Sequence, residues 1–443
     1  MSRLLCFFIC LPFSFLISNC SSSDSNQNLI TLESSINVYG GALNDKGLSV
    51  INTLDGGYAV LGYTQSSDGD VSNKLNDSFD YWLLKFDSNN SLQWNKTYGG
   101  FEDDRGNRLI QTTDGGYALI GFSKSNDGDV SNNNGQNDFW LVKLDTNASL
   151  IWEKTFGFGG ADSGISMIQT NDGGYLLTGI LDVTASGGQG NSKSLARKHA
   201  GGDYWVIKVN ANGTKEWSKF YGGTFTDTPN DLIQTLDNDY IIVGSSDSND
   251  IDITNNKGSY DFWVVRIDGN GTIVWERSFG GSETDEAYAI SKSGDGNFLI
   301  IGDTSSSDKD VSNNNGAADL WVIKMSPNGE LLWEKTYGGS NFDVGRSIRS
   351  TPDGNFIISG SSRSLDGDIN SNNGQNDAWV LKIDSNGNLL WQQTLGGSEI
   401  EFAHGAIQLN NRRIIAVGES RSEDGDVPLN NGFQDLLVIK IDE

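Results

Sequence analysis

The chain repeats itself along its length. An Asp stands before a strongly apolar run at Asp80, Asp138, Asp203, Asp261, Asp319, Asp377 and Asp435, at intervals of 58, 65, 58, 58, 58 and 58 residues. A period of that length means that each unit is one supersecondary element that buries its apolar face only by stacking on its neighbours. Every unit runs in the order of its second copy: "GNRLIQTTDGG", "YALIGFS", an Asp/Asn-rich loop, "DFWLVKLD" and "SLIWEKTFGFGG". These are four short β-runs separated by turn-forming Gly, Asn and Asp. The near-continuous apolar "FWLVKL" reads as a strand covered on both faces. The charges of the fourth run, such as Glu153 and Lys154 beside Trp152, suit an outer edge.

Four antiparallel strands repeated about seven times predict an all-β, seven-bladed β-propeller. The last unit stops after its third run, "DLLVIKIDE", and a matching fourth run stands at the other end, in "LITLESSINVYGG". Residues 29–41 are therefore expected to pair with 435–443, completing blade seven and closing a propeller domain over 29–443. All twelve tryptophans fall on third or fourth runs, so their expected role is packing between blades.

The chain opens "MSRLLCFFICLPFSFLISNC", with Arg3 ahead of an apolar run from Leu4 to Ile17 that is too short to span a bilayer. Residues 1–19 read as a secretion signal. The closing Ile17-Ser18-Asn19-Cys20 resembles the lipobox of bacterial lipoproteins, in which the cysteine is acylated. Asn19 departs from the usual Gly, Ala or Ser, and an ordinary cleaved signal is the alternative. Cys6 and Cys10 lie in the leader, which leaves Cys20 without a disulfide partner. Residues 20–28 form a polar tether. The expectation is a lipoprotein held by acyl chains such as palmitate on the outer membrane, facing the periplasm or the cell surface.

Six of the seven Asp/Asn loops carry Asp-x-Asp in one register: Asp68 and Asp70, Asp127 and Asp129, Asp250 and Asp252, Asp308 and Asp310, Asp366 and Asp368, Asp424 and Asp426. In five of them the strand-leading Asp138, Asp261, Asp319, Asp377 or Asp435 falls at loop position 12, with Ser131, Thr254, Ser312, Asn370 or Pro428 at position 5. The first loop is one residue longer and offers Ser72 and Asp80. The spacing resembles the calcium loop of EF-hands, without its Gly at position 6 or Glu at position 12, and on strands rather than helices. It implies Ca²⁺ held by these residues; Asx-type turns without an ion are the alternative. Blade three has Ala185 and Gly187 in the register yet keeps Asp203, so the strand-leading Asp has a structural task of its own. The blade-three loop is seven residues longer and holds Lys193, Arg197, Lys198 and His199, either a solvated insert or an arm that recognises an anion.

The formal net charge of −27 excludes nucleic acid as a natural partner. In a four-stranded blade the second-to-third loop and the link to the next blade share one side of the ring. Glu102, Asp103, Asp104, Glu283, Asp285, Glu286, Asp343, Glu399 and Glu401 sit in those links, which predicts an acidic, loop-rich face suited to binding. His199 and His404 are the two histidines, and neither belongs to a catalytic motif.

The segment "KIDSNGNLLWQQTLGG" and its copies resemble the Asp-Gly-Trp docking repeat of quinoprotein-like propellers and of the propeller lipoprotein in outer-membrane protein assembly. The pattern "DGGY…G…DGDVS…DFWLVKLD" looks like a repeat of secreted and surface proteins of the Bacteroidetes. Both resemblances imply the propeller and say little about activity. The expected function is a membrane-anchored, calcium-stabilised, non-catalytic binding or scaffold module for a protein or polysaccharide ligand; the alternative is a secreted carbohydrate-active enzyme. The two differ at the ring's centre, where an enzyme gathers non-repeating polar residues and a scaffold keeps near-symmetric ones.

Overall fold

The structure is a computed structural model that describes residues 32–190 and 201–443. The leader, Cys20, the tether and the basic stretch with Lys193, Arg197, Lys198 and His199 lie outside the described residues. Numbered along the chain, the strands run from β1 (Glu33–Tyr39) to β28 (Asp435–Asp442), and they form seven four-stranded antiparallel sheets. Blade one is β2 (Asp45–Asn52), β3 (Tyr58–Thr64), β4 (Asp80–Phe86) and β5 (Leu92–Tyr98), paired in that order. Blades two to six repeat it. Blade seven is completed from the other end of the chain: β1 lies antiparallel to β28, with Ile36 opposite Ile439 and Tyr39 opposite Leu436.

The core lies between blades rather than within them. One apolar cluster joins Leu61, Tyr81 and Leu83 of blade one to Leu119, Trp140 and Val142 of blade two, and similar clusters fill the other junctions. Third-strand residues are covered on both faces, as the unbroken apolar run requires. Trp82, Trp140, Trp205, Trp263, Trp321 and Trp379 are fully buried. Each of four packs against an aromatic ring of the preceding blade, as in Tyr81 with Trp140 at 4.6 Å and Phe262 with Trp321 at 4.6 Å. The fourth-strand side chains Glu153, Glu334 and Gln392 accept the indole N–H of Trp140, Trp321 and Trp379. Polar residues on the outer strand thus satisfy a donor the core would otherwise strand.

Two further regularities fix the blades. The third-strand basic residues Lys85, Lys143, Lys208, Lys324 and Lys382 are buried, and each ammonium reaches the hairpin Asp of its own blade, Asp55, Asp114, Asp172, Asp295 or Asp353, at 2.7–3.0 Å. Each first strand carries a β-bulge, as between Gly47 and Ser49 or Gly106 and Arg108. Residues one, three, four and six after the strand-leading acid consequently face the axis of the ring.

Candidate functional site

The Asp-x-Asp turns lie against the link that leaves the preceding blade. At the first junction Asp127 Oδ1 accepts from Phe101 N at 2.8 Å, and Asp129 Oδ2 accepts from Gly99 N at 3.2 Å. The Asp129 amide returns a bond to Gly99 O at 3.0 Å. The same clamp joins Asp68 and Asp70 to Ala42 and Gly40, Asp250 and Asp252 to Thr224 and Gly222, and Asp308 and Asp310 to Ser282 and Gly280. Asp366 and Asp368 hold Ser340 and Gly338, and Asp424 and Asp426 hold Ser398 and Gly396. The middle residue of the turn is left-handed, with φ of +62° at Gly69 but also +59° at Ile251 and +58° at Lys309. Two side chains thus tolerate a conformation that favours glycine, because the clamp over-determines it.

The carboxylates of one loop bond to two different neighbours. The paired aspartates turn to the preceding blade, whereas the strand-leading Asp138, Asp319 and Asp377 accept from Asn134 N, Asn315 N and Asn373 N within their own loop; Asp261 and Asp435 do the same with Lys257 N and Asn431 N. At position 5, Ser312 Oγ donates to Glu334 Oε1 at 2.5 Å and Thr254 to Glu276, while Ser72, Ser131 and Asn370 are exposed. Among the described residues, no three His, Cys, Asp or Glu side chains are grouped so as to hold a metal ion. Oriented N–H groups compensate part of the charge of the paired aspartates. In blade three a single helical turn, α1 (Val183–Ser186), replaces the clamp, capped by Asp182 on Ala185 N at 2.8 Å.

The expected acidic face is also partly interior. Asp104, Asp285, Asp343 and Glu401 are fully buried. Asp104 Oδ2 accepts from Gly100 N and Ser125 Oγ, both at 2.8 Å, and its counterparts bond likewise. A Cβ on Gly99 would fall 2.7 Å from Asp80 Oδ1 and 2.8 Å from Asp104 Oδ2, so glycine is required where two carboxyl groups from adjacent blades converge. In each pair the strand-leading Asp has a buried Oδ1 with no hydrogen-bond partner, at Asp80, Asp138, Asp261, Asp319, Asp377 and Asp435. Burial, reinforced by the facing acid, pushes Asp80, Asp319 and Asp435 up to about 7 and Asp138, Asp261 and Asp377 up to about 6. A proton on that Oδ1 turns an orphaned acceptor into a donor towards the neighbouring carboxylate.

The seven-fold pattern breaks at the axis. Lys46 on β2, His404 on β26 (Glu401–Gln408) and Glu419 on β27 (Ile414–Ser420) form one group. Glu419 Oε2 lies 2.6 Å from Lys46 Nζ and 3.1 Å from His404 Nε2. Beside it stand Glu286 and Tyr288 on β18 (Asp285–Lys292), Asp303 on β19 (Phe298–Thr304) and Arg346 on β22 (Asp343–Ser350). Tyr288 Oη donates to Glu286 Oε2 at 2.7 Å, and the Arg346 guanidinium lies 3.8 Å from the Tyr288 ring centre and 3.8 Å from Asp303 Oδ1. The corresponding positions in blades two to four hold Arg105, Asn107, Ser163, Ile165, Thr228 and Asn230. Burial raises Asp303 to about 7 against the pull of Arg346. Glu419 is buried too, yet His404 and Lys46 bring it down to about 2. The two carboxyl groups are thereby set well apart in acidity, Glu419 ionised and Asp303 only partly so near neutral pH. Sequence reading missed this cluster because only departures from the repeat, at fixed offsets after the first-strand acid, mark it.

No family model and no curated protein matches the chain. Among solved structures it is similar to the Pan2 WD40 domain of Neurospora crassa, at 10% identity over 90% of this chain and 89% of that one, with a TM-score of 0.47. Sqt1 from Chaetomium thermophilum matches at 12% identity over 93% and 99%, TM-score 0.46. An ancestral GH74 enzyme matches at 10% identity over 88% of this chain and 47% of its own, TM-score 0.45. At such identities the likeness is one of fold, and the particular surface-protein family that the repeat resembles is not identified by it.

Two outcomes follow from the junctions. Asp127→Asn with Asp129→Asn keeps both acceptor oxygens, so melting should shift little and equally in calcium and in chelator, whereas the double alanine variant should lose about 1 kcal/mol per cap in both. A calcium-dependent rise in melting temperature that the asparagine variant abolishes would return the ion to these loops. For pH, the folded-state values of about 6–7 lie above the unfolded carboxylate range near 4, so the folded chain binds extra protons in that window and stability falls as pH rises through it. Asp55, Asp114 and Asp172, held near 2, lose their contribution only as pH drops below about 4. The melting temperature should peak at about pH 4–5, and a curve flat from there to about pH 8 would refute the shared-proton junction.

Proposed function

We propose that this protein is a membrane-tethered binding propeller that takes its ligand at the axial mouth formed by blades five, six, seven and one. The observation that carries this reading is the concentration of non-repeating polar side chains, Lys46, Glu286, Tyr288, Asp303, Arg346, His404 and Glu419, around the axis at blades five, six, seven and one. The blade seams there keep the repeated pattern, so packing offers no reason for such a departure. The mouth opens on the side of the ring that bears the long loops, and the Phe402 ring stacked on His404 at 5.9 Å gives it an apolar edge.

A second reading has its own support. Asp303 and Glu419, with acidities set apart by their surroundings, are the pairing that acid–base hydrolysis of a glycosidic bond uses, one group protonated and the other ionised. Under that reading Asp303 donates the proton to the leaving oxygen and Glu419 acts as base or nucleophile.

A panel of polysaccharides and aryl glycosides, scored for both capture and turnover, separates the two. The binding reading expects capture without turnover, weakened roughly tenfold or more in Arg346→Ala. Turnover that falls about a thousandfold in Asp303→Asn and in Glu419→Gln would establish the enzyme instead. The tether rests on the leader and Cys20. Cys20→Ser should move the protein from the membrane to the soluble fraction and abolish palmitate labelling; a variant that still fractionates with membranes would end the lipoprotein reading.

A further inference from the structure

Below the mouth, three charged residues from three blades meet across the axis. Arg108 Nη2, on β6 (Asp104–Gln111) of blade two, donates to Asp231 Oδ1 at 2.9 Å, on β14 (Asp227–Gln234) of blade four. Ser166 Oγ of blade three donates to the same oxygen at 2.9 Å. Asp231 Oδ2 accepts from Ile290 N at 3.4 Å, and Arg349 Nη1 of blade six stands 3.8 Å from it. Asp231 is almost wholly buried, with its oxygens already engaged, and Arg349 makes one further hydrogen bond, from Nη1 to Ile348 O at 2.9 Å. The Arg349 side chain keeps 31% of its exposure.

The charge here does not balance. Two guanidinium groups share one carboxylate, and burial together with the like charge of Arg108 depresses Arg349 to about 10 despite Asp231. In a chain of net charge −27, the inward positions of the first strands carry Lys46, Arg105, Arg108, Arg346 and Arg349 against Asp231 and Glu286, while Glu419 and Asp303 of the second strands face Lys46 and Arg346. Bulk composition runs the other way, so the first strands hold more positive charge than the average of the molecule. At the level of Arg108, blades five, six, seven and one present only the small, buried Ala289, Ser347, Gly405 and Ser49, so no other charged side chain stands there. In the groove at blades four and five, about 610 Å³ and lined by Lys257, Arg277 and Lys309, Glu276 is part of the lining and Lys257 is 2.8 Å from Asp310.

We propose that the axial ligand is an anion, whose carboxylate or equivalent oxyanion docks on Arg108 and Arg349 while its polar remainder extends towards Glu419, His404 and Tyr288. This rests on the axial-binding reading above. A guanidinium fork suits a planar carboxylate, and a ligand charge supplies the counterion that Asp231 alone does not.

The test is titration calorimetry of the full protein with three probes, galacturonate, galactose and inorganic phosphate, at low salt. Galacturonate should bind and galactose should not; binding by phosphate too would mean that the oxyanion alone suffices. Arg349→Gln should weaken galacturonate roughly tenfold or more, Arg349→Lys by less because charge survives without the fork, and Arg277→Gln not at all. Equal affinity in wild type and Arg349→Gln, or no binding of either anion up to about 10 mM, overturns the proposal. Ser347→Trp, which puts a large ring at a buried position below the mouth, separates it from the broader reading. If neutral sugar binds, and Ser347→Trp abolishes that while Arg349→Gln does not, the axial site stands and its anion preference falls. If binding survives Ser347→Trp, both fall.

Discussion

Each blade junction is held by carboxylates of one blade accepting backbone N–H groups of the link that precedes it. A link of two glycines has no side chain with which to pack, and its amides would be orphaned at the seam between two sheets. The Asp-x-Asp turn supplies acceptors for two of them and a carbonyl-to-amide bond besides. The strand-leading acid of the next blade takes another. Because these bonds cross from blade to blade, they set the angle at which the apolar faces meet. The buried tryptophans then find the aromatic rings of the preceding blade at 4.5–4.9 Å. A substantial share of the acidic residues thus serves the seams between blades.

Against that regularity the axis stands out. Repetition suppresses variety wherever a residue serves the seams, so the positions free to diverge are those that face the channel. They diverge strongly: the place of Tyr288, Arg346 and His404 is taken in the other blades by Leu48, Asn107, Ile165 and Asn230, and that of Lys46 by residues as different as Arg105 and Phe402. The resulting cluster mixes charges of both signs at close range, with Glu419 bridging Lys46 and His404. Such a site discriminates by the pattern of its donors and acceptors more than by apolar area.

The ring was legible because its determinants are local and repeated. Turn chemistry at each "DGG", the apolar run at each "FWLVKL" and the displaced strand at residues 33–39 all write their roles into short stretches. The destination of the loop carboxylates was not legible. Asp127 and Asp129 sit two residues apart as ligands of one ion would, but the amides that satisfy them lie 26 and 30 residues earlier, across a blade boundary. Spacing along a loop carries no sign of a partner that distant. The ion pairs of the third-strand lysines were hidden for a related reason: Lys143 interrupts an apolar run, and only the fold brings Asp114, 29 residues earlier, to 3.0 Å from its ammonium. Arg108, Asp231 and Arg349 come from three blades, so their meeting depends on closure of the whole ring.

Closure by β1 also determines when the molecule can finish folding. Asn37 pairs with Val438, a contact between the two ends of the described chain. Loop-closure entropy opposes such a contact until the intervening blades have collapsed and brought the ends together. During synthesis β1 emerges first and waits for a partner made last, while the open edge of β28 has no cover until it arrives. Blades one to six can form as they appear, but the axial channel, built from all seven, comes into being only with that final pairing. The axial cluster is therefore assembled only once the ring closes.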